Sequence, residues 1–364
     1  MKNKFLLFIL IILLCVSCAT TKSPTAESPT AESPTVEPTP FFMEKRSFYG
    51  FNPIWINSSE VIYTNGSTIV RRNINNYSRE VYEGHTSDIL DISFDNITEN
   101  ILSTSHDKTI KIWNKNNIIK DIANETIMSL IYWSPDGNLF SVTRNYPEHS
   151  IVIYNSDGEY IKTLNGHSDK IKCLEWSPNS KFLVSGSTDH IINLWDNKGN
   201  NIAKLQEHTN DVNQILWHPN SDRFVSASDD GTAILWDKNG KLITKLTRHT
   251  AEITSLSWNN TGSLFATGSK DGTINIWDSN GIFVRSIKTD GDFIFDIAFS
   301  PDGKMIASAS LQKIAQVWKI TGENVATMGS YSDTVYEVSW NPDSKMLLLG
   351  IAGGEIFIWE IQSK

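Results

Sequence analysis

The chain has 364 residues, of which 40% are hydrophobic, so it contains ample material for a large core. Its 32 basic and 41 acidic residues give a net charge of −9, which argues against a nucleic-acid partner because phosphate binding requires a basic face. It contains only three cysteines, and we expect no disulfide framework.

The first residues have the pattern of an export signal. Lys2 and Lys4 precede an apolar run, Phe5–Leu14, that is too short to cross a membrane as a helix. The run is followed by Cys15-Val16-Ser17-Cys18, which resembles the bacterial lipobox, although Cys15 stands where that family usually has leucine.

The lipobox resemblance implies a lipoprotein signal peptide over residues 1–17 and a lipid on Cys18, the first residue of the mature chain. Acyl chains would tether the protein to a bacterial membrane without spanning it. Ala19 favours, by the same resemblance, the outer membrane of a cell that has one, facing the periplasm or the cell surface. Ordinary cleavage without a lipid is the alternative.

Residues 18–40 form the second predicted region. They repeat the sequence Ser-Pro-Thr-Ala-Glu and contain almost nothing to bury. We expect an extended, disordered stalk that reaches at most about 3.1 Å per residue and acts as a spacer.

The rest of the chain, residues 41–364, repeats one unit. Its closing aromatic residue recurs every 41 residues, at Trp113, Tyr154, Trp195, Trp236, Trp277, Trp318 and Trp359. The clearest unit contains four runs of β-formers separated by turn sequences: Ile171–Trp176, Lys181–Ser185, Ile191–Trp195 and Ile202–Leu205. Four strands in a unit of this length are typical of one propeller blade.

The residues Gly166-His167, Asp189 and Trp195-Asp196 resemble the signature of the WD-repeat β-propellers. The resemblance implies an all-β ring of blades and says little about function. An aromatic residue recurs in the first strand of each unit and marks eight units, at Trp55, Phe94, Trp133, Trp176, Trp217, Trp258, Phe299 and Trp340. We therefore predict an eight-bladed propeller, with seven blades as the alternative.

The two ends of the repeat region predict how the ring closes. The last unit runs out soon after its third strand, whereas Phe42–Phe48 is a strand-like segment before the first unit. We predict that this N-terminal strand completes the last blade and leaves no open sheet edge. The first unit is degenerate, because Arg72 stands where the closing aromatic residue belongs.

Four sets of residues have the composition of a nucleophilic triad with a tryptophan beside it. Finding the set four times favours a structural role, since a catalytic triad needs one exposed nucleophile. The family resemblance implies hydrogen-bonded networks in four units: His85, Ser103, Asp107 and Trp113; His167, Ser185, Asp189 and Trp195; His208, Ser226, Asp230 and Trp236; His249, Thr267, Asp271 and Trp277. These histidines lie on different blades, so we expect no metal site and no cofactor.

A comparison of the eight units with one another suggests a partner-binding surface. Two columns at the entry to the first strand hold charged residues in several units and aromatic residues in units seven, eight and one. We expect an exposed patch that binds a protein or peptide. Its residues are Tyr49, Phe51, Phe293, Phe295, Leu311 and Tyr336. Local repacking of divergent blades is the alternative.

These observations favour a non-enzymatic, membrane-tethered scaffold for protein interactions. The alternative is an enzyme or a small-molecule binder that uses the axial funnel, for which the sequence offers only the scattered candidates His106, His190 and Arg144.

Overall fold

The computed structural model describes residues 46–115, 117–329 and 331–361. Every regular element in these ranges is a β-strand, and the strands form eight antiparallel sheets of four strands each. Among the described residues there is no helix with the length and apolar character that a membrane crossing needs. The predicted boundaries at residues 17, 18 and 40 lie outside the described part of the chain.

The first four blades follow one another along the chain. Blade 1 contains β2 (Phe51–Trp55), β3 (Glu60–Asn65), β4 (Thr68–Asn73) and β5 (Arg79–Tyr82). Blade 2 contains β6 (Ile89–Phe94), β7 (Ile101–Ser105), β8 (Thr109–Asn114) and β9 (Asn117–Ala123). Blade 3 contains β10 (Met128–Trp133), β11 (Leu139–Arg144), β12 (Ser150–Asn155) and β13 (Tyr160–Leu164). Blade 4 contains β14 (Ile171–Trp176), β15 (Phe182–Ser187), β16 (Ile192–Asp196) and β17 (Asn201–Leu205).

The remaining blades repeat this order until the last one. Blade 5 contains β18 (Val212–Trp217), β19 (Arg223–Ser228), β20 (Ala233–Asp237) and β21 (Leu242–Leu246). Blade 6 contains β22 (Ile253–Trp258), β23 (Leu264–Ser269), β24 (Thr273–Asp278) and β25 (Phe283–Lys288). Blade 7 contains β26 (Ile294–Phe299), β27 (Met305–Ser310), β28 (Ala315–Lys319) and β29 (Asn324–Met328). Blade 8 contains β30 (Val335–Trp340), β31 (Met346–Ile351), β32 (Glu355–Glu360) and β1 (Arg46–Tyr49).

The hydrophobic core lies between blades. Each of eight apolar clusters joins two neighbouring sheets, as Val184 and Leu194 of blade 4 pack with Phe224 and Trp236 of blade 5. Middle strands are therefore buried on both faces, and their sequences combine apolar residues with small buried polar ones such as Ser185 and Ser226. The outermost strands are largely exposed.

The ring closes between blades 8 and 1. Strand β1 pairs antiparallel with β32 over its whole length, from Arg46 opposite Ile358 to Tyr49 opposite Glu355. A shared apolar cluster and two hydrogen bonds join the two blades further in, from Trp55 Nε1 to the Ser339 carbonyl at 3.2 Å and from Asn341 Nδ2 to the Ser58 carbonyl at 3.1 Å. Eight blades and closure by an N-terminal strand are thus confirmed.

The antiparallel order gives the ring two different faces. One carries the connections between second and third strands and those from one blade to the next, and we call it the loop face. The other carries the tight turns between first and second and between third and fourth strands, and we call it the turn face. Gly240 shows how these turns pack, because a Cβ at its φ of +83° would lie 2.9 Å from Leu205 Cδ2 in the preceding blade.

Candidate functional site

The loop face is held by the predicted hydrogen-bonded networks, of which blade 4 shows the geometry. His167 Nδ1 lies 3.0 Å from Asp189 Oδ2, and His167 Nε2 lies 2.8 Å from Ser185 Oγ. Trp195 Nε1 donates to the same Ser185 oxygen at 3.3 Å. The four side chains connect the loop that enters the blade, the second strand, the loop after it and the third strand.

Blades 2, 5 and 6 repeat this arrangement. In each of them the histidine Nδ1 lies 2.8–2.9 Å from the aspartate, and Nε2 lies 2.7–2.8 Å from the serine or threonine oxygen. The tryptophan Nε1 donates to that oxygen at 2.8–3.1 Å. The sixteen side chains therefore come together in four groups, one in each of four blades.

The geometry of these groups resembles a catalytic triad, but the hydroxyl cannot act as a nucleophile. Since the aspartate accepts from Nδ1–H, Nε2 is the acceptor for the hydroxyl proton, and the hydroxyl oxygen also accepts the tryptophan N–H. Ser103, Ser185, Ser226 and Thr267 are all 0% exposed. A nucleophile has to reach its substrate, so these networks are suited to fixing loops and not to acyl transfer.

The carboxylates of the networks are kept ionised. Burial by itself would raise the pKa of Asp189, but hydrogen bonds from His167 and from the backbone N–H groups of Ser168 and Ile191 outweigh it and lower the pKa to about 2. The same balance of burial against hydrogen bonding holds the pKa of Asp107, Asp230 and Asp271 well below the ordinary value. Each network is thus a satisfied, charged hydrogen-bond system.

Asp189→Ala is expected to reduce the free energy of unfolding by about 1–3 kcal/mol, because it leaves buried donors without an acceptor. The folded pKa of about 2 lies below the ordinary 3.8, so this stabilisation is present above pH 3.8 and disappears as the pH falls through about 2. Urea unfolding of parent and variant across this range measures it. A stability difference that does not shrink with acid would contradict the role assigned to Asp189.

Blades 1, 3, 7 and 8 lack the four-residue network. In blade 7, Asp290 and Gln312 stand at the positions of the histidine and the aspartate. A different hydrogen-bonded pair is present there: Gln316 Oε1 accepts the Asp290 N–H at 3.1 Å, and Gln316 Nε2 donates to Asp290 Oδ2 at 2.6 Å. In blade 3, polar atoms around the longer loop are buried without a partner within the described residues: Thr126 Oγ1, His149 Nδ1 and Ser150 Oγ.

The structure corrects the predicted aromatic patch at two positions. Phe295 and Tyr336 are only 5% and 2% exposed, so the expectation that they face water is wrong. Each is the extra residue of a β-bulge in the innermost strand of its blade. The Tyr336 ring lies against the neighbouring strand, where a Cβ on Gly350 would be 2.9 Å from the ring. Tyr336 thus fills the space beside Gly350, Phe295 packs against Phe293, and both rings are buried.

The other predicted patch residues occupy different environments. Leu311 is 45% exposed, and its N–H donates to the Phe293 carbonyl at 3.0 Å. Phe293 is half-buried, and Lys270 Nζ lies 4.9 Å from the centre of its ring. We call Lys270, Phe293 and Leu311 the blade 7 patch.

Two further residues of the predicted patch lie at the start of the ring. Phe51 in β2 is half-buried, and its ring would be 2.7 Å from a Cβ on Gly354. Tyr49 ends β1 in blade 8 and does not enter blade 1 as predicted, and its side chain lies outside the described part of the chain.

Acidic side chains near the axis join blades and were missed from the sequence. The Asp91 carboxylate accepts the N–H of Ile92 at 2.6 Å and that of Ile131 in the next blade at 2.8 Å. Asp296 likewise accepts the N–H of Ile297 and, at 3.1 Å, that of Val338 in the next blade. Both aspartates stand three residues before the first-strand aromatic residue of their blades, Phe94 and Phe299.

The candidates for funnel chemistry are dispersed. His106, Arg144 and His190 lie in blades 2, 3 and 4. Arg144 pairs with Glu148, and His190 Nε2 lies 4.0 Å from Asp211. In the ranges that the structure describes, no three His, Cys, Asp or Glu side chains are grouped so that they could hold a metal ion.

Comparison with known proteins gives two matching family models. The model described as "IFT122 first beta-propeller" matches residues 126–364, more than half of the chain. The model described as "WD domain, G-beta repeat" matches residues 76–114. Together they cover most of the ring.

The curated relatives match over shorter stretches. The WD repeat-containing protein srw1 of Schizosaccharomyces pombe is 30% identical over 23% of this chain and 16% of its own. The ribosome biogenesis protein WDR12 homolog of Nematostella vectensis is 28% identical over 27% of this chain and 25% of its own. The F-box-like/WD repeat-containing protein TBL1X of Mus musculus is 24% identical over 30% of this chain and 24% of its own. The match thus spans a quarter or less of each relative.

Proposed function

Because the chain belongs to the WD-repeat β-propeller family, whose members typically serve as scaffolds for protein interactions, we propose that it is a non-catalytic scaffold that binds a protein partner on its loop face. The burial of all four network hydroxyls supports the non-catalytic assignment. The dispersion of His106, Arg144 and His190 over three blades supports it further.

The observation that carries the proposal is the exposure of Leu311. It stands on the loop between the second and third strands of blade 7, at the position held by a polar residue in the four blades that keep the network: His106, Thr188, Asp229 and Lys270. The polar residues at this position in those four blades show that folding does not require an apolar side chain there, and Leu311 is 45% exposed. Such side chains are frequent anchors of protein interfaces.

Phe293 and Lys270 extend the blade 7 patch beyond Leu311. The half-buried Phe293 ring packs at a tilt of 44° against the Phe295 ring, with centroids 4.3 Å apart, which restricts its orientation. Lys270 lies over that ring and 3.5 Å from Glu252. The patch therefore offers an apolar centre with a charged border, the usual composition of a protein interface.

We propose further that the scaffold is exported and tethered through Cys18, with residues 18–40 as a spacer. The lipobox-like sequence supports the tether. Strand β1 begins at the turn face, because Arg46 pairs with Ile358 near the end of β32. A tether that enters the ring there leaves the loop face available to a partner.

Leu311→Ala combined with Phe293→Ala is expected to weaken partner binding by about 2 kcal/mol or more, since truncated aromatic and apolar anchors typically cost that much. Affinity capture of the full chain from membranes, with crosslinking and quantitative mass spectrometry, measures the loss. Ile97→Ala is the matched control, because Ile97 is a strongly exposed apolar residue on the turn face. Equal loss from the control, or retention in the double variant, would contradict the assignment.

A further inference from the structure

The outermost strand of six consecutive blades contains a β-bulge with the same kind of side chain. In blade 4, Leu194 pairs with Ala203 and Trp195 with Asn201, which leaves Ile202 as the extra residue. The register shifts in the same way in blades 2 to 7. The extra residue is always β-branched and apolar: Ile119, Ile161, Ile202, Ile243, Val284 and Val325.

These bulge residues project outward. The five in blades 2 to 6 are 41–54% exposed. A bulge on an edge strand protects the edge against pairing with another chain, but this protection comes from the backbone and does not require an apolar side chain. The outer strands of blades 1 and 8 pair without a bulge, so the feature is confined to one arc of the ring.

Most of this arc, the outer strands of blades 2 to 6, is basic on a chain whose net charge is −9. The outer strands of blades 2 to 6 contain six basic residues, Lys120, Lys162, Lys204, Lys245, Arg285 and Lys288, and one acidic residue, Asp121. Asp121 pairs with Lys111. Among the described residues, none of the six basic side chains forms an ion pair. These outer strands therefore combine exposed apolar side chains with an excess of basic residues.

We infer that this outer wall, the outer strands of blades 2 to 6, contacts an anionic lipid surface. Apolar side chains interspersed with lysines that extend towards headgroups are the composition of protein surfaces that lie in a membrane interface. The point at which the chain enters the ring supports this inference. Ile202 lies opposite the end of β16 and Arg46 opposite the end of β32, so bulges and entry lie towards the turn face.

The inference rests on the proposed tether for the presence of a membrane, but its test does not need the lipid. The full-length Cys18→Ser chain carries a diazirine amino acid in place of Ile243 and is illuminated with vesicles of equal parts phosphatidylcholine and phosphatidylglycerol. We expect phospholipid adducts at this position. The same group in place of Tyr146, which is exposed on the loop face, should give none.

Charge reversal separates lipid recognition from apolar adhesion. Lys204→Glu with Lys245→Glu should lower the adduct yield on anionic vesicles about fivefold for each lysine replaced. Lys304→Glu with Lys345→Glu, on exposed turns of blades 7 and 8, makes the same change in net charge and should have little effect.

The possible results are distinct. An adduct at residue 243 that requires phosphatidylglycerol supports the inference. The inference is overturned if residue 243 gives no phospholipid adduct, or if residue 146 gives as much adduct as residue 243. It is also overturned if the adducts contain only protein, or if both pairs of lysine substitutions lower the adduct yield equally. Because the vesicles are added to a chain that cannot be lipidated, a failure of the tether through Cys18 would not affect these outcomes.

Discussion

Replacing Phe295 and Tyr336 with alanine is expected to lower the free energy of unfolding by about 3–5 kcal/mol for each ring, the typical cost of removing a buried aromatic side chain. Both rings are almost fully buried, Phe295 against Phe293 and Tyr336 against Gly350. Urea unfolding of each single variant and of the double variant measures the cost.

Leu311→Ala is the control for these variants. It removes an apolar side chain from blade 7, but from the surface, where substitutions usually change stability by less than about 0.5 kcal/mol. The contradicting result is a Phe295→Ala Tyr336→Ala variant that unfolds like the parent. Both rings would then be surface residues.

Deleting residues 42–48 is expected to destabilise the ring and to cause aggregation. The deletion removes all of β1 except Tyr49 and leaves β32 as an unpaired edge. The lost backbone hydrogen bonds are worth roughly 0.5–1.5 kcal/mol each, so the four paired residues contribute several kcal/mol. Thermal unfolding and light scattering of the deletion variant measure both effects.

Deletion of residues 21–35 is the matched control for closure, because it shortens the same N-terminal region by a longer segment and leaves β1 in place. We expect this variant to melt like the parent. If both deletions melt like the parent, β1 contributes nothing to closure, and if both destabilise equally, the effect is not due to pairing with β32.

The repeat made much of the fold predictable. The run Ile171–Trp176 coincides with β14, and Lys181–Ser185 overlaps β15 with a shift of one or two residues. Turn sequences and alternating apolar residues determine these elements locally, so one unit can be read and transferred to the others. The closing strand was predicted at Phe42–Phe48 and is described at Arg46–Tyr49.

The orientation of bulge residues was not predictable in the same way. Alternation along a strand assigns each side chain to a face, but an extra residue breaks this alternation. Lys172, Phe295 and Tyr336 occupy the same bulge of the innermost strand. The Lys172 side chain is itself only 5% exposed and pairs with Asp211, and the two rings are buried as well. Charged residues in this column therefore gave no information about the burial of aromatic ones.

The hydrogen bonds of Asp91 and Asp296 between blades were missed because they join residues far apart in the sequence. Asp91 and Asp296 accept hydrogen bonds from backbone groups about one repeat further along the chain, in the neighbouring blade. No local pattern marks such a contact, because it depends on how closely two innermost strands approach around the axis. The column that holds both residues becomes informative only when the blades are placed side by side.

The most direct test of the proposed tethered scaffold is photocrosslinking in intact cells with a photoreactive amino acid in place of Leu311, followed by separation of membrane and soluble material. We expect one or a few specific protein adducts in the membrane fraction, their absence when the group replaces Ile97, and their release to the soluble fraction or to uncleaved precursor in Cys18→Ala. Adducts at residue 97 but not at 311 would place the partner on the turn face. A chain that stays in the membrane fraction without Cys18 would contradict the tether.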